Sequence, residues 1–170
     1  MVPAGVVCFF PSFQFLDTIV ARWNSTNALA RIRQCKPVRN VYRNSLCLTV
    51  RVQVFSEPRE AVAVEKVLKD YEAAVSRTGA VLLSVMGGKL SEGINFGDDL
   101  GRGVFVVGLP YPNRHSAELS EKLLHIERIS GKSAADAYYT NLCMKSVNQS
   151  IGTSNNFSLV ALLTCESKAV

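Results

Sequence analysis

The chain is expected to fold as an α/β domain built on a mainly parallel β-sheet with helices on both faces. Three observations carry this expectation. Continuous apolar runs recur at 5–10, 80–86, 103–108 and 157–163, as in strands covered on both sides. Between them lie stretches with apolar residues at helical spacing, the clearest being 60–77. Glycine, proline and asparagine punctuate the junctions. Strands alternating with helices imply a parallel sheet wrapped by helices.

Taken in order, Gly5 to Phe10 reads as the first buried strand, and Pro11-Ser12 ends it. Ser12 has the side chain to cap the next helix. In that helix Leu16, Ile19, Val20 and Trp23 share one face, and Asn24-Ser25-Thr26-Asn27 closes it. Residues 37–56 fit no single pattern: Val50, Val52 and Val54 alternate as in a strand, whereas Asn40 and Asn44 suit a loop. Glu60 to Arg77 is a helix with Val64, Val67, Leu68, Tyr71 and Val75 on one face, closed by Gly79. A second buried strand, Ala80 to Met86, leads into a glycine-containing loop from Gly87 to Leu100. Gly103 to Gly108 is a third strand, stopped by Leu109-Pro110-Tyr111-Pro112. Helices over 115–129 and 133–148 and a last strand at Phe157 to Leu163 complete the reading. In such sheets ligands sit at the strands' carboxyl ends, so the loops after Phe10, Met86 and Gly108 are where a site is expected.

Composition narrows the class. The 170 residues are 48% hydrophobic and 19% charged, enough for one domain with a sizeable core. No apolar run approaches the ~18 residues of a membrane span, so no membrane association is expected. Met1-Val2-Pro3-Ala4-Gly5 lacks a basic region, so no secretory signal is expected either. The five cysteines, Cys8, Cys35, Cys47, Cys143 and Cys165, include no C-x-x-C pair, which argues against a disulfide framework or a zinc site. They also form no set spaced to hold an iron–sulfur cluster. The net charge is +5, and Thr18 to Ser56 contains seven basic residues and no acidic one. A polyanionic partner and a solvated basic loop both account for that segment.

Candidate chemistry concentrates after the second strand. Gly87-Gly88-Lys89 resembles a P-loop only superficially, since Leu83 and Leu90 stand where G-x-x-x-x-G-K-[ST] needs glycine and a hydroxyl. A plain strand-to-helix turn is the simpler reading, although backbone N–H groups of Gly88 and its neighbours suit a phosphate. Ser91-Glu92-Gly93-Ile94-Asn95-Phe96 places acidic, amide and small residues at a strand's carboxyl end. His115 and His125 have no metal-binding spacing, no serine sits in a G-x-S-x-G elbow, and Gly101-Arg102-Gly103 lacks the third glycine of a dinucleotide fingerprint.

Three stretches resemble the second motor domain of XPD-like superfamily 2 iron–sulfur DNA helicases. Gly5-Val-Val-Cys-Phe-Phe-Pro-Ser12 resembles motif IV. Ser84-Val-Met-Gly-Gly-Lys-Leu-Ser-Glu-Gly-Ile-Asn-Phe96 resembles motif V and continues into Leu100 to Pro112, also typical of the group. Asn141-Leu-Cys-Met-Lys-Ser-Val-Asn-Gln-Ser-Ile-Gly152 resembles the approach to motif VI. The wording is most similar to the ChlR-type helicases of sister-chromatid cohesion. The resemblance implies a three-layer RecA-like domain lacking the P-loop. It implies ATP with Mg²⁺ shared with a first motor domain that lies outside this chain, together with the iron–sulfur cluster. It further implies single-stranded DNA as a partner, unwinding of 5′-to-3′ polarity, and a place in the nucleus, in DNA repair and chromosome maintenance.

Carried onto matching positions, the resemblance puts Glu92, Gly93, Asn95 and Gly152 at the ATP cleft. It puts Ser12, Ser84, Gly88 and Lys89 at the DNA and leaves Gln149 as the remnant of motif VI. The group's motif VI reads Q-x-x-G-R-x-x-R, but here Thr153-Ser-Asn-Asn156 follows Gly152 and neither arginine is present. The region 149–157 therefore looks shortened. Residues 38–53 look inserted, since the group runs almost directly from a Lys-Pro such as Lys36-Pro37 into Val54-Phe-Ser-Glu-Pro-Arg59. On this reading residues 1–170 form a single C-terminal helicase domain that is inactive alone. A non-catalytic truncated isoform acting as a DNA- or protein-binding module is the alternative.

Overall fold

A computed structural model of the chain describes residues 4–34, 52–93, 96, 98–152 and 159–163. Strand β1 (Gly5–Phe10) leads into helices α1 (Phe13–Ser25) and α2 (Ala28–Gln34). Strand β2 (Gln53–Ser56) precedes α3 (Ala61–Arg77) and β3 (Ala80–Val85). A short helix α4 (Lys89–Gly93) and a 3₁₀ turn (Asp98–Gly101) come before β4 (Gly103–Val107). Helices α5 (Ala117–Ser130) and α6 (Lys132–Gly152) and strand β5 (Leu159–Leu163) follow.

The strands form one sheet in the order β2-β3-β1-β4-β5, and every pairing is parallel. All four strand segments read from the apolar runs lie in it. The order places β1 at the centre, where Phe9 pairs with Ser84 on one side and Val106 on the other. The chain works outward from β1 to β2, returns through β3, then crosses to β4 and β5. Its order reverses around β1, so the carboxyl ends of β1, β3 and β4 form the edge where loops diverge.

Side chains alternate across the sheet, and the two faces receive different helices. Val7, Phe9, Leu82, Val104 and Val106 pack with Tyr71, Ala74 and Val75 of α3, Leu90 of α4 and Val147 of α6. Cys8, Phe10, Leu83, Val85 and Val107 pack with Leu16, Ile19, Val20 and Trp23 of α1. Helix, sheet and helix make three layers. Burial pushes the Cys8 thiol up to about 12, so at neutral pH it is an unreactive core group. α5 and α6 form a hairpin with its own small core of Leu119, Leu123 and Ala135.

Several local features depart from the expectations. The loop from Gly87 to Leu100 contains a helix and a 3₁₀ turn. α2 follows the asparagine turn directly, which Asn27 makes by adopting φ 56°. Val52 and Gln53, counted with the inserted segment 38–53, belong to the folded domain. Val52 is buried and its N–H donates to the Arg33 carbonyl at 2.8 Å, while Gln53 pairs with Ala80 as the first residue of β2. The rest of that segment lies outside the described residues. Of the last strand, residues 157 and 158 lie outside them too.

Candidate functional site

The carboxyl edge of the sheet is assembled from the ends of β1, β2 and β3. At the end of β1, Ser12 adopts extended geometry and accepts the Phe15 N–H on its Oγ at 3.1 Å, capping α1. Its side chain is exposed, so the hydroxyl proton remains free to point outward. Ser12→Ala is expected to cost about 1 kcal/mol of stability, measurable by chemical denaturation, with Ser12→Asp retaining the cap. Beside it, the Met86 N–H donates to the Phe10 carbonyl at 2.9 Å, joining the ends of β1 and β3. Arg59, just beyond β2, ion-pairs with Asp17 at 2.5 Å. Its guanidinium lies 5.0 Å from the Phe13 ring centre, holding the β2–α3 loop against the start of α1.

The Gly87-Gly88-Lys89 turn is tighter than its resemblance to a phosphate loop suggests. Gly87 takes φ +70°. The Gly88 N–H donates to the Val85 carbonyl at 2.9 Å, closing the turn. Gly88 was expected to offer that N–H to phosphate, and the bond to Val85 occupies it. Ser84 was likewise expected at the DNA, but it is fully buried and its Oγ donates to the Glu57 carboxylate at 2.7 Å. Period-2 alternation puts it on the same face as Leu82, under α3 and α4, so it supports the loop from below. Lys89, at the start of α4, is exposed.

Sequence reasoning missed Glu57. It is 5% exposed and lies at the end of β2, which is an edge strand. Its Oε2 accepts Ser84 Oγ at 2.7 Å and the Val85 N–H at 2.8 Å, and its Oε1 accepts the Leu90 N–H at 3.2 Å. The only available signal was an acidic residue between a short strand and Pro58.

α6 brings its C-terminal turn to the same region. Val147 is buried with Leu90 in one core, and Ile151 packs on it. Gln149, two residues on and so on the opposite face of α6, is exposed, and a Cβ added at Gly152, the last residue of α6, would meet nothing within 4 Å among the described residues. Lys89 and Gln149 are thus both exposed, one on each of two helices that pack against one another. Glu92 and Gly93 close α4; the Glu92 side chain and Asn95 lie outside the described residues. Arg22, Arg31 and Arg33 of the basic segment are exposed on α1 and α2, and its other basic residues lie outside the described residues.

The Pro-Tyr-Pro stretch is pinned to α6. Tyr111 stacks on Tyr139 with ring centres 5.3 Å apart, and Tyr139 Oη donates to the Pro112 carbonyl at 2.8 Å. Arg114 pairs with Asp136 at 2.9 Å. These contacts fix the helical hairpin relative to the end of β4.

The sheet order, the three layers and the loop cluster at the strand ends define an XPD-like RecA-fold domain. The structure is similar to Xpd4 of S. tokodaii, with a TM-score of 0.57 at 17% identity, over 96% of this chain and 26% of that one. Residues 1–154 match the helicase C-terminal domain family. The chain is 44% identical over 164 residues to the ATP-dependent DNA helicase DDX11 of Danio rerio, covering 89% of this chain and 17% of the relative. It is 42% identical over 179 residues to the ATP-dependent DNA helicase CHL1 of Scheffersomyces stipitis, covering 96% and 20%. The chain belongs to the helicase C-terminal domain family, and it spans about a fifth of the length of these relatives. The second alignment runs over more positions than the chain's 170 residues, so that relative carries residues without a counterpart here.

Proposed function

We propose that this chain is the second motor domain of an ATP-dependent DNA helicase of the ChlR kind. In the complete enzyme it would face a first motor domain across an ATP-binding cleft and carry single-stranded DNA over its loops, unwinding 5′ to 3′. We place that enzyme in the nucleus, in DNA repair and sister-chromatid cohesion. The observation that carries the proposal is the convergence of α4 and α6 at the sheet's carboxyl edge in a chain 44% identical to a DNA helicase.

The chain's own residues suit half of such a site. Lys89 and Gln149 supply a cation and an amide for phosphate oxygens, and the exposed Ser12 hydroxyl supplies another donor. ATP with Mg²⁺ brings the γ-phosphoryl group whose transfer drives the motor. We assign the protein ligands of Mg²⁺ to the first motor domain. Of the described cysteines, Cys8 lies in the core under α1 and Cys143 is buried on α6; an iron–sulfur cluster takes four such ligands, and we likewise assign it to the missing part.

The missing arginines of motif VI favour a second reading for this chain by itself: a truncated, non-catalytic isoform that binds DNA or a protein partner. Both readings share a nucleic-acid surface, because contacts to phosphate position a strand without reading its bases. Binding of the chain to oligo(dT) is expected to be weak and to fall steeply with salt. Each phosphate contact contributes about −0.7 to the log–log slope. Lys89→Ala is expected to make the slope shallower by about that amount. Binding that persists undiminished at high salt, or that depends on base sequence, would contradict the proposal.

A further inference from the structure

We propose that Glu57 is a positioning residue that sets the shape of the Gly87–Lys89 turn and thereby the direction of its phosphate contacts. This rests on the preceding reading that the turn meets phosphate. A carboxylate accepts hydrogen bonds and donates none. Glu57 meets three donors, and it divides them by oxygen. Oε2 holds the end of β3 through Ser84 Oγ and the Val85 N–H, while Oε1 holds the start of α4 through the Leu90 N–H. The turn itself lies between these two anchors, so the carboxylate spans it from beneath.

Two further observations support a specific role. Glu57 makes no ion pair among the described residues. A buried carboxylate without a cation is costly unless hydrogen bonds replace its water, and a purely structural position at the end of an edge strand is filled more cheaply by an apolar side chain. Gly88 lies so close to the carboxylate that a Cβ there would come 2.5 Å from Oε1 and 2.9 Å from Oε2, as well as 2.9 Å from the Val85 carbonyl oxygen. The turn is therefore built around this group. Lys89 is adjacent to the tethered Leu90, and moving α4 moves the lysine.

The charge pattern provides a discriminating variant. In Glu57→Gln one oxygen becomes an NH₂ group. Turned toward β3, that group opposes the Val85 N–H and loses the 2.8 Å bond there, although the Ser84 hydroxyl can turn to accept from it; turned toward α4, it opposes only the Leu90 N–H and loses the longer, 3.2 Å bond. The second arrangement is favoured, so glutamine keeps the β3 anchor and loses the α4 tether. Amide hydrogen exchange resolved by residue, on the full 170-residue chain, reads this directly. Leu90 is expected to exchange at least about tenfold faster, in line with loss of a hydrogen bond to a charged group, while Val7 and Val104 in the sheet keep their protection. Oligo(dT) affinity is expected to fall several-fold. Uniform acceleration across the sheet, or no change at Leu90, overturns the inference. Should the glutamine variant fail to fold, Gly88→Ala presses on the same carboxylate and on the Val85 carbonyl; Leu90 and Val85, the two amides that Glu57 accepts, are then expected to exchange faster together, and acceleration at Leu90 without Val85, uniform change or no change counts against the inference. If the unmodified chain does not bind oligo(dT), the proposed function fails and exchange alone decides the positioning role. If it binds and Glu57→Gln frees Leu90 with affinity unchanged, the link to phosphate contacts is wrong.

Discussion

Fused to a competent first motor domain, this chain is expected to support DNA-stimulated ATP hydrolysis about 10³–10⁵-fold more slowly than the same fusion carrying an R-x-x-R segment after Gly152. Phosphoryl transfer spreads negative charge over the γ-phosphate oxygens, and catalysis depends on cations placed against them. Motif VI is the stretch from which the family's arginines come. Here α6 ends at Gly152, and Thr153-Ser154-Asn155-Asn156 follows with no positive charge. Gln149 is exposed on the last turns of α6 and can orient a phosphate or a water, but an amide does not supply the missing charge. Lys89 is an exposed cation on a neighbouring helix, and we propose it for a phosphate of the DNA strand, not for the γ-phosphate. Steady-state ATPase rates of the two fusions, with and without single-stranded DNA, provide the test. Equal rates would show that motif VI arginines are dispensable in this chain and would remove the main support for the non-catalytic reading.

Gly5→Ala is expected to destabilise the domain by about 3 kcal/mol or more, beyond most single substitutions. Gly5 opens the central strand, where Tyr71 of α3 crosses it to donate its hydroxyl to the Leu100 carbonyl at 2.5 Å. A Cβ at residue 5 would overlap the Leu100 carbonyl oxygen and lie 2.5 Å from Tyr71 Oη. One obstacle is backbone in the 3₁₀ turn before β4, and the other is a fully buried ring. Neither yields without shifting the strand, because β1 is paired on both sides. In a domain of this size such a loss lowers Tm by roughly 6–12 °C. Tyr71→Phe serves as the comparison: it removes the hydroxyl and leaves Leu100 without that donor, at about 1–3 kcal/mol. Combining the two substitutions is expected to recover only part of the loss, since the Leu100 oxygen stays in the way. A loss below 1 kcal/mol for Gly5→Ala would show that the strand end accommodates the methyl.

The strands buried on both faces were legible because a parallel sheet under two helical layers leaves no polar side to interrupt an apolar run. The runs at 5–10, 80–86 and 103–108 each became a strand within a residue. The α3 helix was equally plain, since its apolar positions repeat at 3.6 residues. The edge strand β2 was ambiguous for the opposite reason. Its pattern is exposed and half-exposed, so periodicity conveys little, and its pairing with β3 comes from residues far along the chain. α4 was read as loop because five residues are too few for a helical period to appear.

The sequence by itself determined the fold class and, through its motifs, the helicase family, and it singled out the loops at the strands' carboxyl ends as the place to expect a ligand. These depend on local pattern and on residue identities that stand together in the chain. It also exposed the loss of the motif VI arginines, which needs no coordinates. Only the tertiary structure decided which residues of motif V face outward. Ser84 and the Gly88 N–H were candidates for phosphate until the packing showed their hydrogen bonds spent on Glu57 and Val85. Glu57 lies 27 residues from Ser84 and 33 from Leu90. No local pattern links a carboxylate at the end of an edge strand to donors at that separation; the parallel pairing of β2 with β3 brings them within hydrogen-bonding distance.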